Sequence, residues 1–286
     1  MVIAPVTLFA SRWYFRALFE LVKAQQLAWG AKKACVTISF DCDTQEDLAA
    51  LPQLLRLLER YPFETSFACI GKWIERYPDV HRAIVAAGHE ISNHTYSHPN
   101  NDELQSFERF NELTAAEQET EIVRCHEVCQ RYLNYAPVGF RIPHFGALYT
   151  PTIYPILQRL NYRYSSSMVA AKTATGGAPF RTAQGIWEFP VSPCPAHPFG
   201  VFDTHHAFRK KRAWHQEKGA FFALFQELLQ LGMQSAAHIN LYFDPRDVVL
   251  YDDFPYIFDL LRERQTDIHV LSYREIITHE QLGMKK

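Results

Sequence analysis

Two histidines four residues apart, His94 and His98 in HTYSH, and two aspartates two residues apart, Asp41 and Asp43 in FDCDT, have the types and spacing to do chemistry. Neutral imidazoles and a carboxylate are a common ligand set for zinc and related divalent ions, and three protein ligands leave positions open for catalysis. Histidines at i and i+4 on a helical turn can present their nitrogens to one ion, and a carboxylate from another strand end completes a facial arrangement. Alone, HTYSH is equally at home as a surface or capping pair, and a carboxylate at a strand end often caps the next helix. Together they point to a metal centre. Residues two apart on an ideal strand share a face, so Asp41 and Asp43 address the same space. If one binds the cation, the other is left as a base beside water whose pKa the cation lowers, to roughly 7 for zinc. A metal with a spare carboxylate is a hydrolase constellation.

The elements that must position these groups alternate along the chain. ACVTISF reads as a buried strand, and TQEDLAALPQLLRLLERY as a helix opened by a Thr44 cap. TSFACI, HEISNH, VGFRIP, YRYSSSM, QSAAHINLYF and DIHVLSY read as further strands, with helical stretches such as TAAEQETEIVRCHEVCQRYL, TPTIYPILQRL, GAFFALFQELLQLG and DFPYIFDLLRER between them. Six or seven such units imply parallel βαβ connections, and an unbroken composition favours one closed or nearly closed barrel. The expected fold is therefore α/β, a distorted (β/α)7-type TIM-like barrel over residues 33–286 with an added N-terminal helical extension over 1–32. Reacting groups gather at the carboxyl ends of barrel strands. Asp41 and Asp43 close the first strand, His94 and His98 follow the third, Arg141 and Pro143 end the fourth, and His238 lies in a late one. Two long loops, 99–113 and 192–215, have the length of functional loops.

Lys plus Arg number 29 against 31 Asp plus Glu, so no global positive field favours nucleic acid. The six cysteines lack a zinc-ribbon pairing and read as small core residues in a reducing compartment, hence a cytoplasmic protein. Cys125 and Cys129 share a helix face beside His126, one pair short of a structural metal site. The N-terminal stretch is broken by Arg12, Arg16, Glu20 and Lys23 and reads neither as a signal peptide nor as a membrane span. Its large apolar residues suit an amphipathic helix that docks on the domain or on a second subunit, as in a homo-oligomer; the other reading is peripheral contact with the inner face of a membrane.

The ordered set SFDCD, HTYSH, RIPHFG and HINL resembles the motifs of the polysaccharide deacetylase superfamily, the NodB homology or carbohydrate esterase family four group, over roughly residues 34–275. The resemblance implies a distorted (β/α) barrel that removes N- or O-acyl groups from sugars with Zn2+ or a similar cation such as Co2+, Ni2+ or Mn2+. It makes Asp43, His94 and His98 the metal ligands and Asp41 the base. It has Arg141 orient Asp41, the chain around Pro143 and His144 supply a backbone N–H to the oxyanion, and His238 serve as the acid that protonates the departing amine. The sequence departs from the most familiar pattern in having the acidic pair split by Cys42, which is similar to a D-x-D branch that includes hydrolases of small amides. Where that branch often has an aspartate before two serines, YSSSM places Ser165, removing a charge that could tune the acid histidine. IWEFPVS also resembles that branch, with Trp187 and Glu188 lining the groove or simply forming an edge strand.

The substrate class rests on FDTHHAFRKKRAWH, which gathers His205, His206, Arg209, Lys210, Lys211 and Arg212 with Phe208 and Trp214. Such a set can hold phosphate or stack on sugar rings, and it is equally a solvated charge run. The expected substrate is an N-acetylated amino sugar in a glycan or glycan precursor, free, nucleotide-linked or lipid-linked. The competing readings are hydrolysis of another C–N bond, such as a formamide or cyclic imide, and a barrel without turnover that binds glycan or a partner through its loops.

Overall fold

The computed structural model describes residues 3–144, 151–209 and 219–279, with the backbone alone for residues 3–10. Strand β1 (Ala34–Cys42) is buried at all nine positions, as expected of a β-branched, apolar run covered on both faces. It lies one strand in from the β8 edge of a curled sheet with β2 (Ser66–Cys69), β3 (Glu90–Asn93), β4 (Gly139–Phe140), β5 (Tyr164–Ser165), β6 (Phe180–Arg181), β7 (Trp187–Glu188), β8 (His238–Phe243) and β9 (Ile268–Val270). The order is β6-β7-β5-β4-β3-β2-β1-β8, and β9 pairs with the start of β1. All pairings are parallel except the short β6–β7 hairpin, so the carboxyl ends of β1 to β5 and β8 open on one side. The far edge curls back through the segment after β7, where the Ser192 N–H donates to the Asn240 carbonyl of β8 at 2.9 Å. The Asn240 amide also donates to the carbonyls of Phe189 and Pro190.

Helices α1 (Ile3–Ala24), α2 (Gln45–Leu58), α3 (Gly71–Arg76), α4 (Pro78–Ala86), α5 (Ala115–Leu133), α6 (Ile153–Arg159), α7 (Ala220–Gln234), α8 (Pro245–Leu250), α9 (Asp253–Glu263) and α10 (Tyr273–Thr278) surround the sheet. The Thr44 cap is a full capping box with Asp47, and Thr114 forms another with Glu117 at the start of α5. The first box stops β1 and starts α2 within two residues. That abrupt turn leaves Asp43 at the rim of the sheet.

Helix α1 lays Phe15, Leu18, Phe19 and Val22 into the main core, burial worth about 1.5–3 kcal/mol for each such side chain. Contact is close enough to require glycine opposite: a Cβ at Gly176 would sit 2.2 Å from the Leu18 carbonyl oxygen. Trp13, 67% exposed, and Leu21 face outward. No helix among the described residues is long and apolar enough to cross a membrane. The six cysteines are all free and buried.

His238 is not where the sequence reading puts it. It opens β8 rather than closing it, and pairs with Cys35 at the start of β1. Six residues of strand separate Cys35 from Asp41, roughly 20 Å at about 3.3 Å per residue. Its Nε2 meets the Thr37 hydroxyl at 2.9 Å, and its ring lies against Phe189 and Trp29. Burial lowers its pKa to about 3. Below about pH 6.5 the unfolded ring takes up a proton that the native ring refuses, so stability is lost as pH falls from there towards 3. Between pH 7.5 and 5, urea unfolding should cost the wild type about 2 kcal/mol more than His238→Gln. Equal losses would show that the buried ring is not a neutral core residue.

Candidate metal centre and active site

Asp43 lies one residue beyond β1, its carbonyl fixed by the Trp73 indole N–H at 3.1 Å and the Asn101 amide at 2.8 Å. Its carboxylate Oδ1 faces His94 Nε2 at 3.3 Å and His98 Nε2 at 3.6 Å. Both histidines are almost fully buried, while the Asp43 side chain retains 29% of its exposure. HTYSH does not form the helical turn that the spacing suggests. It is an irregular loop in which Thr95 (φ 65°) and His98 (φ 51°) adopt left-handed backbone, an uncommon state for a β-branched residue. The loop is braced internally: Asn93 Oδ1 accepts from the Thr95 N–H at 2.9 Å, and the Thr95 hydroxyl accepts from the His98 N–H at 3.1 Å. Backbone strain held in this way is common at functional sites.

The donor set fits a divalent cation. Ligand atoms bound at about 2.0–2.2 Å around a tetrahedral or octahedral ion lie roughly 3 Å apart, close to the two distances here. His94 Nδ1 meets the Arg141 carbonyl at 2.9 Å; a carbonyl only accepts, so Nδ1 carries the proton and Nε2 offers its lone pair. Asp43 Oδ1 is buried without a hydrogen-bond partner among the described residues, a costly state unless a cation relieves it. Burial alone would raise the Asp43 carboxyl, but His98 and His94 outweigh it and hold it well below the usual carboxylate range. Burial drops His98 to about 3, which keeps that ring neutral and able to ligate. Burial would also lower His94, yet Asp43 and Asp41 beside it raise it instead.

Asp41 is buried and salt-bridged to Arg141 at 3.0 Å. Arg141 is itself only 1% exposed, and its other donors reach Ser39 at 2.8 Å, Tyr273 at 2.6 Å and Ser166 at 3.2 Å. Side chains from β1, α10 and the segment after β5 thus converge on one guanidinium, and its fork fixes the Asp41 carboxylate. Burial lifts Asp41 to about 6 against the pull of Arg141.

These groups open into a cavity of about 500 Å3. His144, His206, Tyr242, Asp244 and Arg209 share its wall with the acidic pair and the two ligand histidines. The structure therefore brings together Asp41, Asp43, His94, His98, His144, His206 and Arg209, with Arg141 beneath. Pro143 is buried beside them and presents no wall. His238 and Trp187 stay away. Trp187 pairs with Tyr164 at the start of β5, on the opposite end of the sheet, and its ring receives Arg181. Glu188 is wholly buried and accepts the N–H groups of Ser167 at 2.6 Å and Met168 at 2.9 Å, a structural role. Ser165 bonds Ser167 at 2.7 Å.

Within the basic loop, Phe208 stacks on Tyr251 at 3.9 Å, and Arg209 pairs with Asp244 and Asp247 while remaining on the cavity wall. Lys210, Lys211, Arg212 and Trp214 lie outside the described residues. Sequence reasoning missed Asp203, which is fully buried and holds His206 Nδ1 at 2.6 Å, and Asp244, whose place at the end of β8 was assigned no role. The spacing of Asp203 and His206, three apart in FDTHH, was the available signal.

Residues 30–165 match the family model described as polysaccharide deacetylase. That segment contains every residue of the candidate metal centre. A peptidoglycan-N-acetylglucosamine deacetylase of Bacillus cereus is 33% identical over 112 residues, 39% of this chain and 37% of that protein's length. The fold of a protein from Mycobacterium smegmatis assigned to the polysaccharide deacetylases superposes with a TM-score of 0.70 at 19% identity, covering 91% of this chain and 95% of the other. An allantoinase superposes with a TM-score of 0.68 at 12% identity, covering 87% and 91%. These two likenesses concern the fold, a curled parallel sheet within helices.

The centre formed by Asp43, His94 and His98 should bind one divalent cation per chain, with Zn2+ as the probe. In chelator-competition titrations, Asp43→Ala and His94→Ala should each weaken binding by more than the roughly 10–100-fold that loss of an outer partner costs. Unchanged affinity in either would remove that residue from the ligand set.

Proposed function

We propose that this protein hydrolyses the N-acetyl group of an amino sugar in a glycan or glycan precursor. The observation that carries the proposal is the division of labour between two aspartates on one strand end. Asp43 faces two imidazole nitrogens and Asp41 is held by Arg141. The family match and the Bacillus cereus relative support the amino-sugar class.

Asp43, His94 and His98 would hold the cation, zinc by the chemistry of a two-histidine, one-carboxylate set. When bound, such a cation supplies a Lewis acid for the substrate carbonyl and makes water more acidic. Asp41, raised to about 6 by burial, is ionised at neutral pH yet basic enough to take a proton from the attacking water. Arg141 keeps its carboxylate aimed, and the backbone N–H at His144, on the cavity wall, is the proposed donor to the developing oxyanion.

Acetate release from N-acetylated chito-oligosaccharides and peptidoglycan fragments tests the activity. Asp41→Asn should keep the metal and lose about 10²–10⁴-fold in turnover, the usual worth of a general base. Loss of metal in Asp41→Asn equal to that in Asp43→Asn would mean the aspartate roles are reversed.

A further inference from the structure

Hydrolysis of an amide leaves an amine that departs only with a proton, and His238 is too far away to supply it. We infer that His206 is the proton donor to the leaving amine and that buried Asp203 is the residue that positions it; the inference rests on the deacetylase reading of the cavity. Among the imidazoles on the cavity wall, His94 and His98 face Asp43, His144 turns its Nε2 to the Asn100 carbonyl at 3.2 Å, and His205 is exposed beside His206 at 5.5 Å between ring centroids. His206 is differently placed. Its Nδ1 meets Asp203 Oδ2 at 2.6 Å, and its backbone N–H donates to Asp203 Oδ1 at 2.8 Å. Asp203 is wholly buried, while the His206 side chain keeps 25% of its exposure on the cavity side. A buried carboxylate on one ring nitrogen fixes orientation and steadies the imidazolium, leaving Nε2 to give up its proton.

The segment that carries the pair is tied down at both ends. The Thr204 hydroxyl donates to Asp244 and accepts the Asp244 N–H at 2.9 Å. Five residues on, Arg209 pairs with Asp244 and, at 3.1 Å, with Asp247. Residues 205–209 form a single π-helical turn, a distortion frequent at functional sites. Thus β8 and α8 hold the pair over the cavity although the pair itself sits in a loop. Asp244 is the rival donor, because burial pushes its carboxyl up. The Arg209 guanidinium opposes that push without outweighing it, but Arg209 and the Thr204 hydroxyl together occupy Asp244 Oδ2, whereas His206 faces the cavity.

The step balances. Asp41 takes a proton from water as the water oxygen bonds to the carbonyl carbon. The C–N bond then breaks with its electron pair going to nitrogen, His206 Nε2–H protonates that nitrogen, and acetic acid leaves and gives its remaining proton to solvent. Solvent carries the proton from Asp41 back to His206.

Two probes separate donor from scaffold: N-acetylated chito-oligosaccharide, whose amine needs a proton to leave, and 4-nitrophenyl acetate, whose phenolate does not. In chelator-sensitive assays at equal metal content, His206→Gln and His206→Ala should lose about 10²–10⁴-fold in kcat/KM on the amide but less than about tenfold on the ester. Asp203→Asn should lose less on the amide than His206→Gln and almost nothing on the ester, an amide-selective split that a merely structural role would not give. Equal loss on both probes, or none on the amide, overturns the inference alone. Amide-selective loss in Asp244→Asn with His206→Gln unaffected gives the role to Asp244. A wild-type protein that cleaves neither probe with metal bound overturns the deacetylase reading and this inference with it.

Discussion

The site depends on how its buried carboxylates are balanced. In a poorly solvated cavity each ionised carboxylate needs a positive or proton-bearing partner, and the chain supplies one almost everywhere. Arg141 meets Asp41, Arg209 meets Asp244 and Asp247, and His206 meets Asp203. For Asp43 the ion pairs among the described residues are with His94 and His98, whose nitrogens can ligate a cation as readily as they can hold a proton. Two imidazole nitrogens converging on one carboxylate oxygen mark the rim of β1 as the candidate metal centre.

The barrel follows from the same requirement. Arg141 leaves the end of β4 and crosses beneath the cavity to Ser39 on β1, Ser166 after β5 and Tyr273 on α10. Tyr273 in turn donates to the Asn240 side chain, which joins β8 to the segment after β7. One polar network therefore both closes the sheet and aims Asp41. Such a network is a liability if any member is missing and rigid when complete.

Much of this was legible in the sequence because catalytic groups in parallel sheets follow strand ends. Asp41, Asp43, His94, His98 and Arg141 each stand where a strongly patterned strand stops, so the pattern located them without geometry. His238 shows the limit. HINLYF is apolar along its whole length, and nothing in it tells the entering end from the leaving one in three dimensions; the structure puts His238 at the start and Asp244 just past the finish. The path of HTYSH was also hidden, since two left-handed residues bring the histidines together where helical spacing would also have served. Trp187 sits on a strand as one reading allowed, but register with Tyr164 turns it to the far end of the sheet. In FDTHHAFR the charges suggested ligand contact but not the pairings of Arg209 with Asp244 and Asp247 or the stacking of Phe208 on Tyr251, which depend on β8 and α8 far along the chain.

Anomalous diffraction at the zinc edge from crystals grown with zinc tests the central claim most directly. The account predicts one strong peak at about 2.0–2.2 Å from the Asp43 carboxylate and from Nε2 of His94 and His98, with Asp41 still on Arg141 and outside bonding distance. A peak bonded to Asp41 instead of Asp43, or zinc held elsewhere with those imidazoles unbound, would contradict it.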